Sequence, residues 1–203
     1  MRKSFLPVIF SILAMIALFS GRAFGDKLAG PVEFKIMGGA SLAKSTEPLG
    51  SVWPEETPIP KFGLGAMAGA GAELPLTKLI SFEIDVFFLQ KTCRIDLRSL
   101  DGTITGHFLE RLNEISAPLF YKFCLRRGTS PFLLAGGEVA FVLSRDARHF
   151  DYGLICGLGV RKKIRRGFLS IEGRYHHGLQ DTRIGSPRLR KMRTFVLLAG
   201  FSF

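Results

Sequence analysis

Tyr175-His176-His177 is the tract whose residue types best suit acid–base chemistry or metal binding. Successive residues of a strand point to opposite faces, so His176 and His177 on a strand cannot close on one ion. A hydrolytic histidine needs a serine within hydrogen-bond reach, and His176 is followed by His177 and Gly178 instead of the His-x-Ser spacing of a lipid deacylase. The tract reads as two polar residues near the rim of a strand. Gly63-x-Gly65-x-x-Ala68 has the form of a dinucleotide fingerprint, but that motif needs a strand, a turn and then a helix, and these glycines continue a period-two alternation. Cys93, Cys124 and Cys156 are odd in number and lack C-x-x-C spacing, which specifies neither a disulfide framework nor a metal site. No catalytic residue, metal or cofactor is expected.

The elements that would position such residues start after an export signal. Basic Met1-Arg2-Lys3, an apolar run from Phe5 to Phe19 and the small-residue site Ala23-Phe24-Gly25 form a signal peptide over 1–25, with cleavage placed after Gly25 and one domain over 26–203. Removing Arg2, Lys3 and Arg22 lowers Lys plus Arg from 28 to 25 against 17 acids. The mature chain is therefore basic, which suits anionic lipid or lipopolysaccharide phosphates, while export argues against nucleic acid. With 47% hydrophobic residues, a mean hydropathy of +0.23 and no later apolar run long enough for a spanning helix, the composition fits a membrane barrel.

Alternation supplies eight strands: Val32–Ala43, Ile59–Leu76, Leu79–Ile95, Phe108–Leu125, Pro131–Ser144, Asp151–Ile164, Gly167–Asp181 and Arg193–Phe203. Pro118 predicts a bulge in the fourth. Long connections (Lys44 to Pro58, Thr92 to His107, Arg145 to Phe150, Thr182 to Met192) alternate with short ones (Thr77-Lys78, Arg126 to Thr129, Arg165-Arg166). The expected fold is all-β, an eight-stranded antiparallel up-and-down transmembrane β-barrel with both ends on the short-turn side. A soluble barrel of the same strand number would instead bury Phe34, Phe82, Phe141 and Phe195 and wet Glu83, Glu138 and Glu172. Alternation alone does not tell inside from outside.

In the membrane arrangement the lumen receives Glu33, Lys35, Glu73, Glu83, Asp85, Glu114, Lys122, Glu138, Arg161, Glu172 and Arg174. Eight strands enclose only enough room for side chains, so these groups should pair across the interior as a polar core. Arg183, Arg188, Arg190, Lys191 and Arg193 make the last long loop a candidate site for an anionic partner. Phe195, Leu197, Ala199, Phe201 and Phe203 form an outward stripe resembling the signal read by the outer-membrane assembly machinery.

Several stretches resemble the PorT-like, or "outer membrane protein beta-barrel domain", family of small porin-like barrels: Asp85-Val86-Phe87-Phe88-Leu89-Gln90-Lys91, Ile115-Ser116-Ala117-Pro118-Leu119-Phe120-Tyr121-Lys122-Phe123, Pro131-Phe132-Leu133-Leu134-Ala135-Gly136-Gly137-Glu138-Val139, and Phe168-Leu169-Ser170-Ile171-Glu172-Gly173-Arg174-Tyr175. Thr92 stands where the family usually has glycine. The resemblance implies an eight-stranded outer-membrane barrel and carries over no catalytic residue. The expected protein is a monomeric, integral outer-membrane barrel of the cell envelope, structural or surface-binding through its long loops. A porin-type small-solute channel is the alternative.

Overall fold

The computed structural model describes residues 30–45, 56–125, 130–143, 150–179 and 191–203. The expected signal peptide and Arg183, Arg188 and Arg190 lie outside them. Eight strands follow in chain order: β1 Glu33–Ser45, β2 Glu56–Pro75, β3 Ile80–Ser99, β4 Ile104–Cys124, β5 Ser130–Val142, β6 Phe150–Ile164, β7 Gly167–Gly178 and β8 Met192–Ser202. Each pairs antiparallel with its neighbours, and β1 pairs with β8 from Lys35↔Ser202 to Ser45↔Met192, closing the barrel. Closure leaves no sheet edge along the shared length of the strands, the condition for placing strands in lipid.

Parity decides which side chains meet which medium. Lys35, Glu83, Asp85, Glu138, Glu172 and Arg174 are buried inside, while Phe34, Ile36, Leu42, Phe88, Leu133, Leu158, Ile171 and Phe195 are exposed on the outer wall. A soluble barrel would show the reverse. The short-turn end carries Thr77, whose hydroxyl accepts from the Ile80 N–H at 2.9 Å, together with Glu33 and Phe203.

Three expectations are corrected. Thr92 to His107 is not a loop: β3 runs on to Ser99, β4 starts at Ile104, and the link is a tight turn at Leu100–Thr103. Gly102 takes a positive φ of 87°, and Asp101 accepts hydrogen bonds from the Thr103 N–H and hydroxyl at 2.9 and 2.7 Å, which hold its carboxyl below the usual range. The Asp-Gly pair is a hairpin signal of the sequence. Second, β2 starts at Glu56 and takes in Pro58, where a loop was expected, as well as Pro60. The β1 ladder ends at Ala43↔Gly63, so the prolines occupy an edge where a missing N–H breaks no bond to β1. Third, β4 has no bulge at Pro118: the β3 pairing lapses between Ile84↔Leu119 and Phe87↔Ser116 and resumes in the same register. The irregularities sit elsewhere, in β2 between Phe62 and Met67 and beside the β3–β4 turn, where Leu97↔Gly106 gives way to Arg98↔Ile104.

β2, β3 and β4 span 20, 20 and 21 residues against 11 to 15 for the others. Pairing of β4 with β5 starts at Glu114↔Val142, so residues 104–113 extend beyond the ring with β3 as their ladder partner. The result is a three-stranded projection at the loop end. Its inner side carries Cys93, Ile95 and Leu112, which pack with Ala43, Val142 and Met192, and against Phe108, into an apolar cap over the lumen.

At the closing seam, a Cβ on Gly39 would lie 1.9 Å from the Leu197 carbonyl oxygen, whereas one on neighbouring Gly38 meets its nearest atom at 3.7 Å. Gly38→Ala should keep the compact, heat-modifiable band on a gel, and Gly39→Val should abolish it. Cysteine labelling checks the inside-out assignment, because Cys156 is exposed on the outer wall and Cys93 and Cys124 are buried. A membrane-permeant apolar maleimide should label Cys156 in the folded protein and Cys93 only after denaturation.

Candidate functional site: the charged lumen

Strand parity sends the ionisable side chains of seven strands into one interior. Near mid-barrel, Arg174 of β7 lies 2.9 Å from Asp85, 3.1 Å from Glu83 and 2.5 Å from Glu172. Its guanidinium also stacks between Phe87 and Phe120, 5.2 and 4.6 Å from the ring centroids. Lys35 of β1 pairs with Glu83 and reaches Asp85 at 3.2 Å. Three carboxylates, two cations and two rings thus fill one level. A planar guanidinium suits this place because it donates in several directions while its faces meet aromatics.

A second group lies toward the short-turn end. Lys122 meets Glu73 at 2.7 Å and Glu83 at 3.4 Å, linking the two levels. Arg161 sits 3.5 Å from Glu73 and 3.8 Å from Glu33, with its guanidinium over Phe168. Glu33, Glu73, Arg161 and Phe168 border a vestibule of about 590 Å³ that Ser81 and Cys124 also line.

The third group lies toward the loop end. Lys91 pairs with Glu114 at 2.7 Å and with Asp151 at 3.5 Å, and Glu138 accepts from the Ser116 hydroxyl at 2.8 Å and meets His176 Nδ1 at 3.0 Å. His176 Nε2 and the hydroxyl of Thr194, its cross-strand neighbour, have no hydrogen-bond partner among the described residues. The apolar cap closes over this level.

The structure places the eleven predicted lumen residues on the inner face: Lys35, Glu83, Asp85, Glu172 and Arg174 in the first group, Glu33, Glu73, Lys122 and Arg161 in the second, linked to the first through Lys122, and Glu114 and Glu138 in the third. It adds Lys91 and Asp151, and it buries His176 on the inward face that the alternation of its strand gives it. Lys91 shares parity with Glu83 and Asp85, and Asp151 with Arg161, so both were visible in the alternation. His176 corrects the rim reading: it is 1% exposed and bonded to Glu138, while His177 stands on the outer wall beside the Tyr175 hydroxyl, 3.3 Å away. Of the expected basic loop, Lys191 and Arg193 are described; Arg193 lies within β8, on its outward side.

No family model and no curated protein matches this sequence. Among solved structures, the outer membrane protein OprG from Pseudomonas aeruginosa superposes with a TM-score of 0.51 at 11% identity, over 87% of this chain and 97% of that one. The fold is that of an outer-membrane barrel. Ail, the attachment invasion locus protein of Yersinia pestis, is similar with a TM-score of 0.47 at 17% identity, over 86% and 100% of the two chains. The translocator domain of the autotransporter NalP from Neisseria meningitidis gives 0.31 at 11% identity, over 97% and 98%. At such identities the likeness concerns fold and carries no residue roles.

Chemically, the lumen is a network of mutual neutralisation. Removing one member strands the others in low dielectric, at a cost of about 3–5 kcal/mol for a buried pair. Arg174→Met should therefore shift the urea unfolding midpoint of the refolded barrel down by a comparable stability loss. Glu172→Gln should cost less, since Glu83 and Asp85 still hold the guanidinium. Both are read from the loss of the compact gel band across a urea series.

Proposed function

We propose that this chain is a non-enzymatic, integral outer-membrane barrel, exported by the 1–25 signal, closed to solutes, and acting at its loop end as a structural or surface-binding protein. The observation that carries this reading is the filled lumen. Arg174, clamped by Glu83, Asp85 and Glu172 between two aromatic rings, lies beneath the apolar cap of Ala43, Cys93, Ile95, Leu112, Val142 and Met192. A conducting pore of this strand number would need a continuous polar path, and here charged and apolar layers alternate along the axis. The wide belt of exposed apolar side chains supports residence in a bilayer, and the β2–β3–β4 projection supports work beyond its surface.

Catalysis at His176 is disfavoured because the ring is enclosed and held by Glu138. The tests are fractionation, gel mobility and planar-bilayer recording. The protein should pellet with outer membranes, migrate faster unheated than boiled, and produce no reproducible single-channel steps. Release from spheroplasts without detergent would overturn the localisation. Stepwise conductance would replace the closed barrel with a small-solute channel, and hydrolysis of lipid esters lost in His176→Ala would overturn the non-enzymatic reading.

A further inference from the structure

We infer that Lys44 and Arg193 form a docking site on the outer wall for the phosphate of a phosphorylated glycolipid of the lipid A type, an inference that rests on the outer-membrane reading above. Lys44 of β1 and Arg193 of β8 are direct cross-strand partners, and Arg193 is in turn the partner of His177 on β7. All three positions share outward parity with Leu42, Phe195 and Tyr175. Like charges directly opposite on neighbouring strands repel. Neither cation has a carboxylate partner among the described residues: Lys44 Nζ lies over the Phe62 ring, 5.7 Å from its centroid. The comparison round the wall is informative, because Lys61 and Arg94 share Asp96 at 2.5 and 2.9 Å and are neutralised within the protein. With no carboxylate partner among the described residues, the Lys44/Arg193 pair is open to an anion from outside.

Its height on the wall says which anion. One outward step toward the short-turn end from the pair, Phe195 packs on Tyr175, with centroids 4.9 Å apart, and Phe62, beside Lys44, packs on Phe195 at 6.1 Å. Aromatic side chains at the edge of an apolar band mark the level of lipid headgroups. The pair therefore sits at headgroup height on the loop side. Cross-strand side chains stand about 5 Å apart at Cβ, close enough for both to donate to one phosphate. A phosphate monoester carries roughly −1.5 to −2 at neutral pH, so it complements two unpaired cations better than the singly charged diester of a phospholipid. Lipid A carries its phosphates as monoesters on sugar.

The probes are bisphosphorylated lipid A, the same lipid with its phosphates removed, and phosphatidylglycerol, each added to detergent-solubilised protein and counted by native mass spectrometry. Wild type should retain one bisphosphorylated lipid A. Lys44→Gln/Arg193→Gln should bind it about tenfold more weakly, as expected for losing charge-assisted hydrogen bonds. Phosphate-free lipid A and phosphatidylglycerol should bind wild type no better than lipid A binds the double variant. Arg111→Gln, an exposed cation on β4, should leave binding unchanged.

Equal binding of bisphosphorylated and phosphate-free lipid A, or undiminished binding by the double variant, would overturn the site. Equal binding of phosphatidylglycerol would overturn the monoester assignment, and an equal loss in Arg111→Gln would reduce the effect to diffuse charge. A dimer that disappears in the double variant would make a second copy the occupant. The lipid comparison uses wild-type protein alone, so it decides even if the variant misfolds. A wild-type chain without heat-modifiable migration would instead signal failure of the outer-membrane reading.

Discussion

Closure of β1 on β8 is the constraint on which the rest of this structure depends. In lipid, an unpaired backbone N–H or C=O has no water to turn to, so a sheet must either leave the bilayer or join its own ends. Eleven successive pairs from Lys35↔Ser202 to Ser45↔Met192 make that join, and the strands approach closely enough at Gly39 to exclude a side chain. Once the ring is closed, the pleat divides each strand's residues between lumen and lipid. Inside and outside become properties of parity.

That division concentrates ionisable groups in a space too narrow for bulk water. Arg174, Lys35 and Lys122 each serve more than one carboxylate, and Glu83 is shared by all three. The network therefore spans from mid-barrel to the short-turn vestibule as a connected unit. Its stabilising role follows from the alternative: each charge, once inside, is costly unless its partners are inside too. The proposed closed barrel rests on the same arrangement, because the groups that would attract ions are already engaged with one another.

The outer surface is graded along the barrel axis. A belt of aliphatic and aromatic side chains gives way to Phe195 and Tyr175, then to Lys44, Arg193 and His177 with Phe62 beside Lys44, and on one side to the projecting β2–β3–β4 sheet. The projection has two kinds of edge. Pro58 and Pro60 interrupt donors on β2, a common means of discouraging strand addition. Its inner face closes the lumen while its outer face carries the Lys61–Asp96–Arg94 group, so one sheet extension serves both the interior and the surface.

The sequence by itself determined the strand number, the up-and-down order and the face of nearly every residue, because period-two alternation is a local property of a pleated backbone. The Asp101-Gly102 turn was not read, because the tract from Thr92 to His107 looks like a long loop until the pairing of β3 with β4 is known. Which charges meet was left to tertiary structure. Asp85 and Arg174 are 89 residues apart in the chain and 2.9 Å apart in space, a distance set by barrel circumference and strand stagger. Whether His176 stands at a rim or beside Glu138 depends on the register between β5, β6 and β7, and the placing of Arg193 between Lys44 and His177 depends on the register of β8 with β1 and β7. Register is a relation between strands, and no single strand's alternation contains it.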